Sequence, residues 1–365
     1  MKKLIVVITL LTALLSSCAR PAATPPAAEA PVEQTADQPT EQSTSLPQPP
    51  EEPIAVPTET IWEPISVNMV VQPFLGVGPI FIAMEEGFFE DEGLVIVPIE
   101  IRTSRDTATA LASGQADVAA TDISVTYFNI IAQNPALKIV SEKGFANPDS
   151  ACAYQGLVTL ADVPDYTPGM DLSFFKGKTL DIIPGNQHHF LFDLLLEGQN
   201  FTTLDMTLTT MDPAIRIESM RSGQLYGIST AEPFITRYLA EGDTKLWIGM
   251  NDILPNATVS TIMFGELFTQ KNPEAGIRWM RAYLRAVEQY NQGLTDRNVE
   301  IFAKYTKLDP ELIKKACPSD LRPSGEIDST SIMAYQEWAV TNNFMNAVIP
   351  LETLWDGRFL EAAKE

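Results

Sequence analysis

The sequence predicts an α/β protein of two similarly built lobes, each a mostly parallel sheet with helices on both faces, completed by a helical C-terminal part. Three observations carry that expectation. From residue 65 to about 230, short apolar strand-like runs alternate with runs of helical period, an order that calls for parallel strands joined by crossover helices. The phrase Ser-Gly-Gln occurs twice, at 113–115 and 222–224, each time where a helical run stops and a short apolar strand begins. From Pro273 onward the pattern is helical.

The first lobe opens with ISVNMVVQPF (65–74), a β-branched run that reads as a buried strand. After the Gly76-Val77-Gly78-Pro79 turn, IFIAMEEGFF has helical period and stops at Gly87. GLVIVPIEI (93–101) is the next strand, and TSRDTATALASG is a helix opened by a Thr/Ser/Asp capping signature. ADVAAT and ISVTYFNIIAQN add a strand and a helix. From about Phe174 the grammar repeats: KTLDIIP as strand, NQHHFLFDLLLEGQN as helix, MTLTTM as strand, DPAIRIESMRSG as helix, LYGIST as strand. Gly114 and Gly223 serve as helix C-caps at matching places. In the C-terminal part, Trp279, Tyr283, Val287 and Tyr290 recur at helical spacing and read as core, with further helices at 294–308, 309–317 and 328–342.

The N-terminal segment has a different character. Lys2 and Lys3 precede an apolar run, Leu4 to Leu15, that is shorter than the roughly 20 residues of a membrane-spanning helix, so residues 1–17 read as a secretory signal. Leu15-Ser16-Ser17-Cys18 resembles a bacterial lipobox, which would make Cys18 a lipidated N-terminus holding the protein on the extracytoplasmic face of the cell membrane. Residues 18–63 are rich in Pro, Ala, Thr, Gln and Glu and poor in large apolar side chains, the composition of a disordered tether. A formal net charge of −22 argues against nucleic acid as a partner. Cys152 and Cys317 are the only other cysteines; whether they pair is open at this level. His188 and His189 are adjacent, so on a helix their side chains diverge by about 100° and cannot share a metal. No phosphate loop, dinucleotide fingerprint or Gly-x-Ser-x-Gly elbow occurs, so neither enzymatic activity nor a cofactor is expected.

Four segments in order, FIAMEEGFFEDEGLVI (81–96), ALASGQADVAAT (110–121), FFKGKTLDIIPG (174–185) and STAEPF (229–234), give the body a resemblance to the solute-binding proteins of bacterial ABC importers. The group it resembles takes sulfonates, nitrate, thiamine pyrimidine precursors or riboflavin. The resemblance implies a periplasmic binding protein type II-like fold: two lobes, joined by two crossing strands, that close on ligand like a flytrap. Lobe one would be 64–155 plus 255–365 and lobe two 156–254, with hinges near 154–159 and 251–258. It also implies an ABC permease as partner and a monomer as the working form. Some relatives are pyrimidine-synthesis enzymes with a Cys-rich motif, which this sequence lacks.

In open α/β sheets ligands bind beyond the carboxyl ends of the strands, so the polar turns there supply the site candidates. They are Gln72, Phe74 and Gly76 after the first strand, Thr103 and Arg105 after the second, and Thr121 and Asp122 after the third. The second lobe adds Asn186, Gln187, His188, Thr230 and Glu232, and Tyr154 at the hinge could stack on a ring. Most of these groups are neutral and two are acidic, a lining that repels an oxoanion and suits a neutral heterocycle read at its edge. The pyrimidine-precursor branch usually carries Pro-Asn and then His after the first strand, where this sequence has Pro73, Phe74 and Val77. Riboflavin is therefore the expected ligand, with a pyrimidine precursor or a sulfonate or nitrate oxoanion as alternatives.

Overall fold

The computed structural model describes residues 63–101 and 103–365. The signal segment, Cys18 and the tether up to residue 62 lie outside the described residues.

The first sheet begins with β1 (Ile65–Val70), β2 (Leu94–Ile99), β3 (Val118–Asp122) and β4 (Lys138–Phe145), connected by α1 (Gly78–Glu85), α2 (Phe88–Asp91), α3 (Ser104–Ser113) and α4 (Val125–Gln133). The second holds β5 (Gln155–Leu160), β6 (Thr179–Asp181), β7 (Thr207–Thr209), β8 (Gly227–Ala231) and β9 (Thr244–Gly249), with α5 (Gln187–Leu195), α6 (Arg216–Arg221), α7 (Phe234–Leu239) and α8 (Met250–Ile253). The chain returns as β10 (Thr258–Phe264) and ends in α9 (Pro273–Tyr290), α10 (Asp296–Thr306), α11 (Pro310–Ile313), α12 (Ser329–Thr341), α13 (Leu351–Leu354) and α14 (Arg358–Ala363).

The strand orders are β2-β1-β3-β10-β4 and β7-β6-β8-β5-β9, so the two sheets share one plan. Three parallel strands lie side by side in each. The fourth, β10 or β5, is antiparallel and is contributed by chain arriving from the other sheet, and an edge strand antiparallel to it closes each row. Four of the five strands in each sheet therefore run the same way, the mostly parallel arrangement expected, and the exchange of the reversed strands β5 and β10 ties the sheets together. The duplicated Ser-Gly-Gln falls at corresponding points, before β3 and before β8. There Gly114 and Gly223 adopt φ of +73° and +77°, backbone that a Cβ would strain.

The first crossing lies at 146–154, ahead of the hinge expected at 154–159, because residues 155–159 are buried inside β5 between β8 and β9. Cys152 and Cys317 are joined by a disulfide with Cα atoms 5.9 Å apart, which fastens this crossing to the segment after α11. Helix α9 shows how the C-terminal part is held. Asn272 caps it by accepting from the Ala275 N–H at 3.1 Å, and Pro273 occupies its first turn. Trp279 stacks on Tyr283 at 5.4 Å and meets Phe264 of β10 edge-on at 5.3 Å. The aromatic stripe is core, and truncating such a residue to Ala costs about 3–5 kcal/mol.

Candidate ligand-binding cleft

Several contacts draw the two sheets together. Ser124, after β3, forms an isolated antiparallel bridge with Asn186, before α5. The Gln187 side chain donates to the Thr258 carbonyl at 2.7 Å, and the Tyr335 hydroxyl donates to the Gly185 carbonyl. Trp338 donates from its indole to Asp193 at 2.8 Å, and Phe190 packs edge-on against Tyr335 at 5.6 Å. A separate contact runs from the Cys317 N–H to Glu232 at 3.2 Å.

Of the residues singled out in the sequence, Gly76, Asp122, Tyr154 and His188 converge. The Tyr154 hydroxyl accepts the Gly76 N–H at 3.2 Å, and a Cβ at position 76 would stand 2.5 Å from that oxygen, so only glycine admits the phenol. Asp122 ends β3 with an exposed side chain, and no hydrogen bond or ion pair holds its carboxylate among the described residues. Its charge is felt by His188, Tyr154 and Lys143. Burial, reinforced by Asp122 and Tyr290, pushes the Tyr154 phenol well above its ordinary pKa and keeps it neutral. His188 projects from the first turn of α5. Its Nδ1 is engaged by the Ser229 hydroxyl and its Nε2 faces the Gln155 Oε1 at 3.3 Å, so Nε2 carries the proton and Nδ1 accepts. Burial lowers its pKa to about 4 although Asp122 pulls the other way.

The remaining candidates have structural work. Thr103 caps α3 by accepting the Asp106 N–H at 3.1 Å, and Arg105 is exposed on that helix, which follows the edge strand β2. Gln72 donates to the Ile101 carbonyl at 3.1 Å, while Phe74 is 37% exposed. Thr121 pairs with the Thr261 hydroxyl at 2.9 Å, and Thr230 is buried opposite Gly156 in the ladder. Asn186 caps α5 through the His189 N–H at 3.0 Å. Glu232 corrects the expectation of a free acid in the cleft. It is 2% exposed and accepts from the Thr236 N–H at 3.0 Å, the Thr236 hydroxyl at 2.8 Å and the Cys317 N–H, so it anchors α7 instead; burial pushes its pKa up.

The sequence reading missed a cation. Lys143 is 5% exposed, on β4, at a break in the ladder where Thr261 pairs with Glu142 and Ser260 with Gly144, leaving Lys143 as the extra residue of a bulge. Ser260 pairs on its other side with Asp122, which places the two charges in adjacent rows of one sheet. The neighbouring Glu142 carboxylate is already engaged by Arg322 and by the Thr258 hydroxyl. No hydrogen bond or ion pair holds the Lys143 ammonium among the described residues, and burial lowers its pKa. The only signal in the sequence is a lysine inside the stretch KIVSEKGF, which reads by default as surface.

A sequence model of the NMT1-like family matches residues 177–305, about a third of the chain. No curated protein matches. Among solved structures, the ligand-binding component of an ABC-type import system from Staphylococcus aureus aligns with a TM-score of 0.65 at 14% identity, covering 82% of this chain and 98% of that one. The periplasmic aliphatic sulphonate-binding protein SsuA from Escherichia coli aligns with a TM-score of 0.63 at 14% identity over 81% and 93%. The desulfurization enzyme DSZB aligns with a TM-score of 0.58 at 12% identity over 82% and 98%. What these likenesses establish is architectural: the chain has the periplasmic binding protein fold.

Proposed function

We propose that this chain is the solute-binding component of an ABC importer, held outside the cytoplasmic membrane by a lipidated Cys18 and its tether, and that its ligand is a small organic anion. The observation that carries the ligand class is Lys143, a buried ammonium without a protein counter-ion in contact, in the cleft where Asp122, Tyr154 and His188 converge. Desolvating such a charge costs several kcal/mol unless a partner arrives, and an acidic ligand is that partner. The flavin reading rested on a cleft lined by neutral and acidic groups; Lys143 removes that premise, and Glu232 is already bonded. The likeness to a sulphonate-binding protein points the same way. The Cys152–Cys317 disulfide fits an oxidising compartment outside the cytoplasm. A binding role is preferred to catalysis because the Ser229–His188 pair lacks the acid that would orient a catalytic base, the other ring nitrogen facing the Gln155 amide, and because similar solved structures include ligand-binding components of importers.

A thermal-shift screen on a chain beginning at Thr60, across sulfonates, nitrate, pyrimidine precursors and riboflavin, tests this reading. The expected result is stabilisation by a sulfonate or carboxylate, confirmed by calorimetry, with the solute recovered unchanged. Quenching of flavin fluorescence with no response to acids would restore riboflavin, and recovery of a chemically altered solute would make the protein an enzyme.

A further inference from the structure

The cleft holds two opposite charges, and neither has a partner in contact. Lys143 is 5% exposed at the β4 bulge with no hydrogen bond or ion pair, and Asp122 ends β3 with its carboxylate equally unengaged among the described residues. Ser260 of β10 pairs with Asp122 on one side and with Gly144 on the other, so a single strand separates the two charged positions. They sense each other electrostatically without meeting. Two further groups that feel the Asp122 charge are neutral: the Tyr154 phenol, bonded to the Gly76 N–H, and the His188 ring, clamped between Ser229 and Gln155. The buried acids Glu142, next to Lys143 in sequence, and Glu232 are engaged by Arg322, Thr258, Thr236 and Cys317.

A pair of unlike charges held apart by a strand's width presents two ends to whatever enters. From this arrangement we infer that the site is built for a solute carrying both an acidic and a basic group, the acid on Lys143 and the basic nitrogen on Asp122. This rests on the proposed solute-binding role and narrows it. A simple acid would neutralise Lys143 but set its own charge near an uncompensated Asp122. A simple amine would do the reverse, and a neutral ring would leave the buried Lys143 without a counter-ion while displacing the water that solvates the exposed Asp122. A zwitterion satisfies both with no net charge transferred into the cleft.

The experiment uses four named probes, 3-aminopropanesulfonate with propanesulfonate and 4-aminobutyrate with butyrate, titrated calorimetrically into the disulfide-bonded protein. At least one amino acid of the two should bind at least tenfold more tightly than its deaminated partner. Asp122→Asn should abolish that gap, and Lys143→Gln should weaken both members of the pair at least tenfold. Should Lys143→Gln fail to fold, ¹⁵N-lysine spectra of the unmodified protein replace it, with one buried ammonium resonance expected to move on addition of the amino acid. No binding by any of the four at millimolar concentration, an equal affinity within each pair, or a lysine spectrum that does not respond overturns the inference. If a different solute binds the unmodified protein and retains its affinity in Lys143→Gln, the inference fails while the solute-binding role stands. If no solute in either screen binds, the role itself fails.

Discussion

At the scale of single residues, His188 shows how the cleft sets protonation. Its ring is desolvated and both nitrogens are engaged, one by a donor and one by an acceptor, so a second proton would have to turn the Ser229 hydroxyl round and leave a charge out of water. The folded pKa of about 4 lies below the ordinary value of 6.5. Below pH 6.5 the unfolded chain therefore binds a proton that the folded chain refuses, and stability falls as pH drops from about 6.5 toward 4; above that window the term is constant. At pH 4.5 the loss from this one residue is about 2–3 kcal/mol. Urea unfolding at pH 7.5 and 4.5 should show a smaller acid penalty in His188→Gln than in the unmodified protein, the subtraction removing the carboxylates that titrate in the same range. Equal penalties would mean that the ring takes its proton freely in the fold.

Among elements, the crossing at 146–154 matters most because it aims Tyr154 and Gln155 at the cleft. The Cys152–Cys317 disulfide fixes its end, and the Cys317 N–H in turn holds Glu232 at the start of α7. The bond closes a loop of 165 residues, so replacing both cysteines with alanine should lower unfolding free energy by about 2–4 kcal/mol, read from urea midpoints with and without reductant. An unchanged midpoint would deny the bond any part in holding the crossing. The parallel elements were legible because each has one clean period: α3, α5 and α12 fall where the helical patterns do, and β1, β2, β3, β6, β7 and β8 where the apolar runs do. The strands β4, β5, β9 and β10 were not recognised, the first part of β5 being read as a hinge. In β4, Ser141, Glu142 and Lys143 are all buried, which no alternation of apolar and polar residues announces, and β10 is buried along its whole length, Thr and Ser included. The site was legible to the same extent. Asp122 and His188 stand at ends of elements that could be read and Tyr154 at a crossing that only the family resemblance placed, whereas Lys143 belongs to a strand that could not be read. Glu232 was misjudged because a cap and a ligand group present the same carboxylate in sequence.

For the whole molecule, the exchanged strands imply a particular motion. Only 146–154 and the short stretch between α8 and β10 pass from one sheet to the other, so rotation about them can part the sheets, at the cost of withdrawing Phe190 and Leu191 of α5 from the apolar cluster they share with Phe128 and Tyr335. Against separation stand the Ser124–Asn186 bridge, the bonds from Gln187 and Tyr335, the Trp338–Asp193 bond and the Cys317–Glu232 bond. The hydrogen bonds are worth about 0.5–1.5 kcal/mol net each, and the burial of Phe190 and Leu191 against Tyr335 adds to them, while the unpaired Lys143 ammonium opposes closure. A solute that neutralises Lys143 removes that opposing term and favours the closed form. We predict an ensemble that includes open forms in the free protein and a closed form with ligand. Small-angle scattering of a chain beginning at Thr60 should give a radius of gyration near ~19 Å when saturated, the value for a compact body of about 300 residues, and a larger one without ligand. Trp338→Phe, which removes the bond to Asp193 but keeps the ring, should shift the free protein further toward the open form and weaken binding by severalfold. Superimposable curves with and without a solute that calorimetry shows to bind would mean that the sheets do not part, and ligand entry would then require a local opening in place of a hinge.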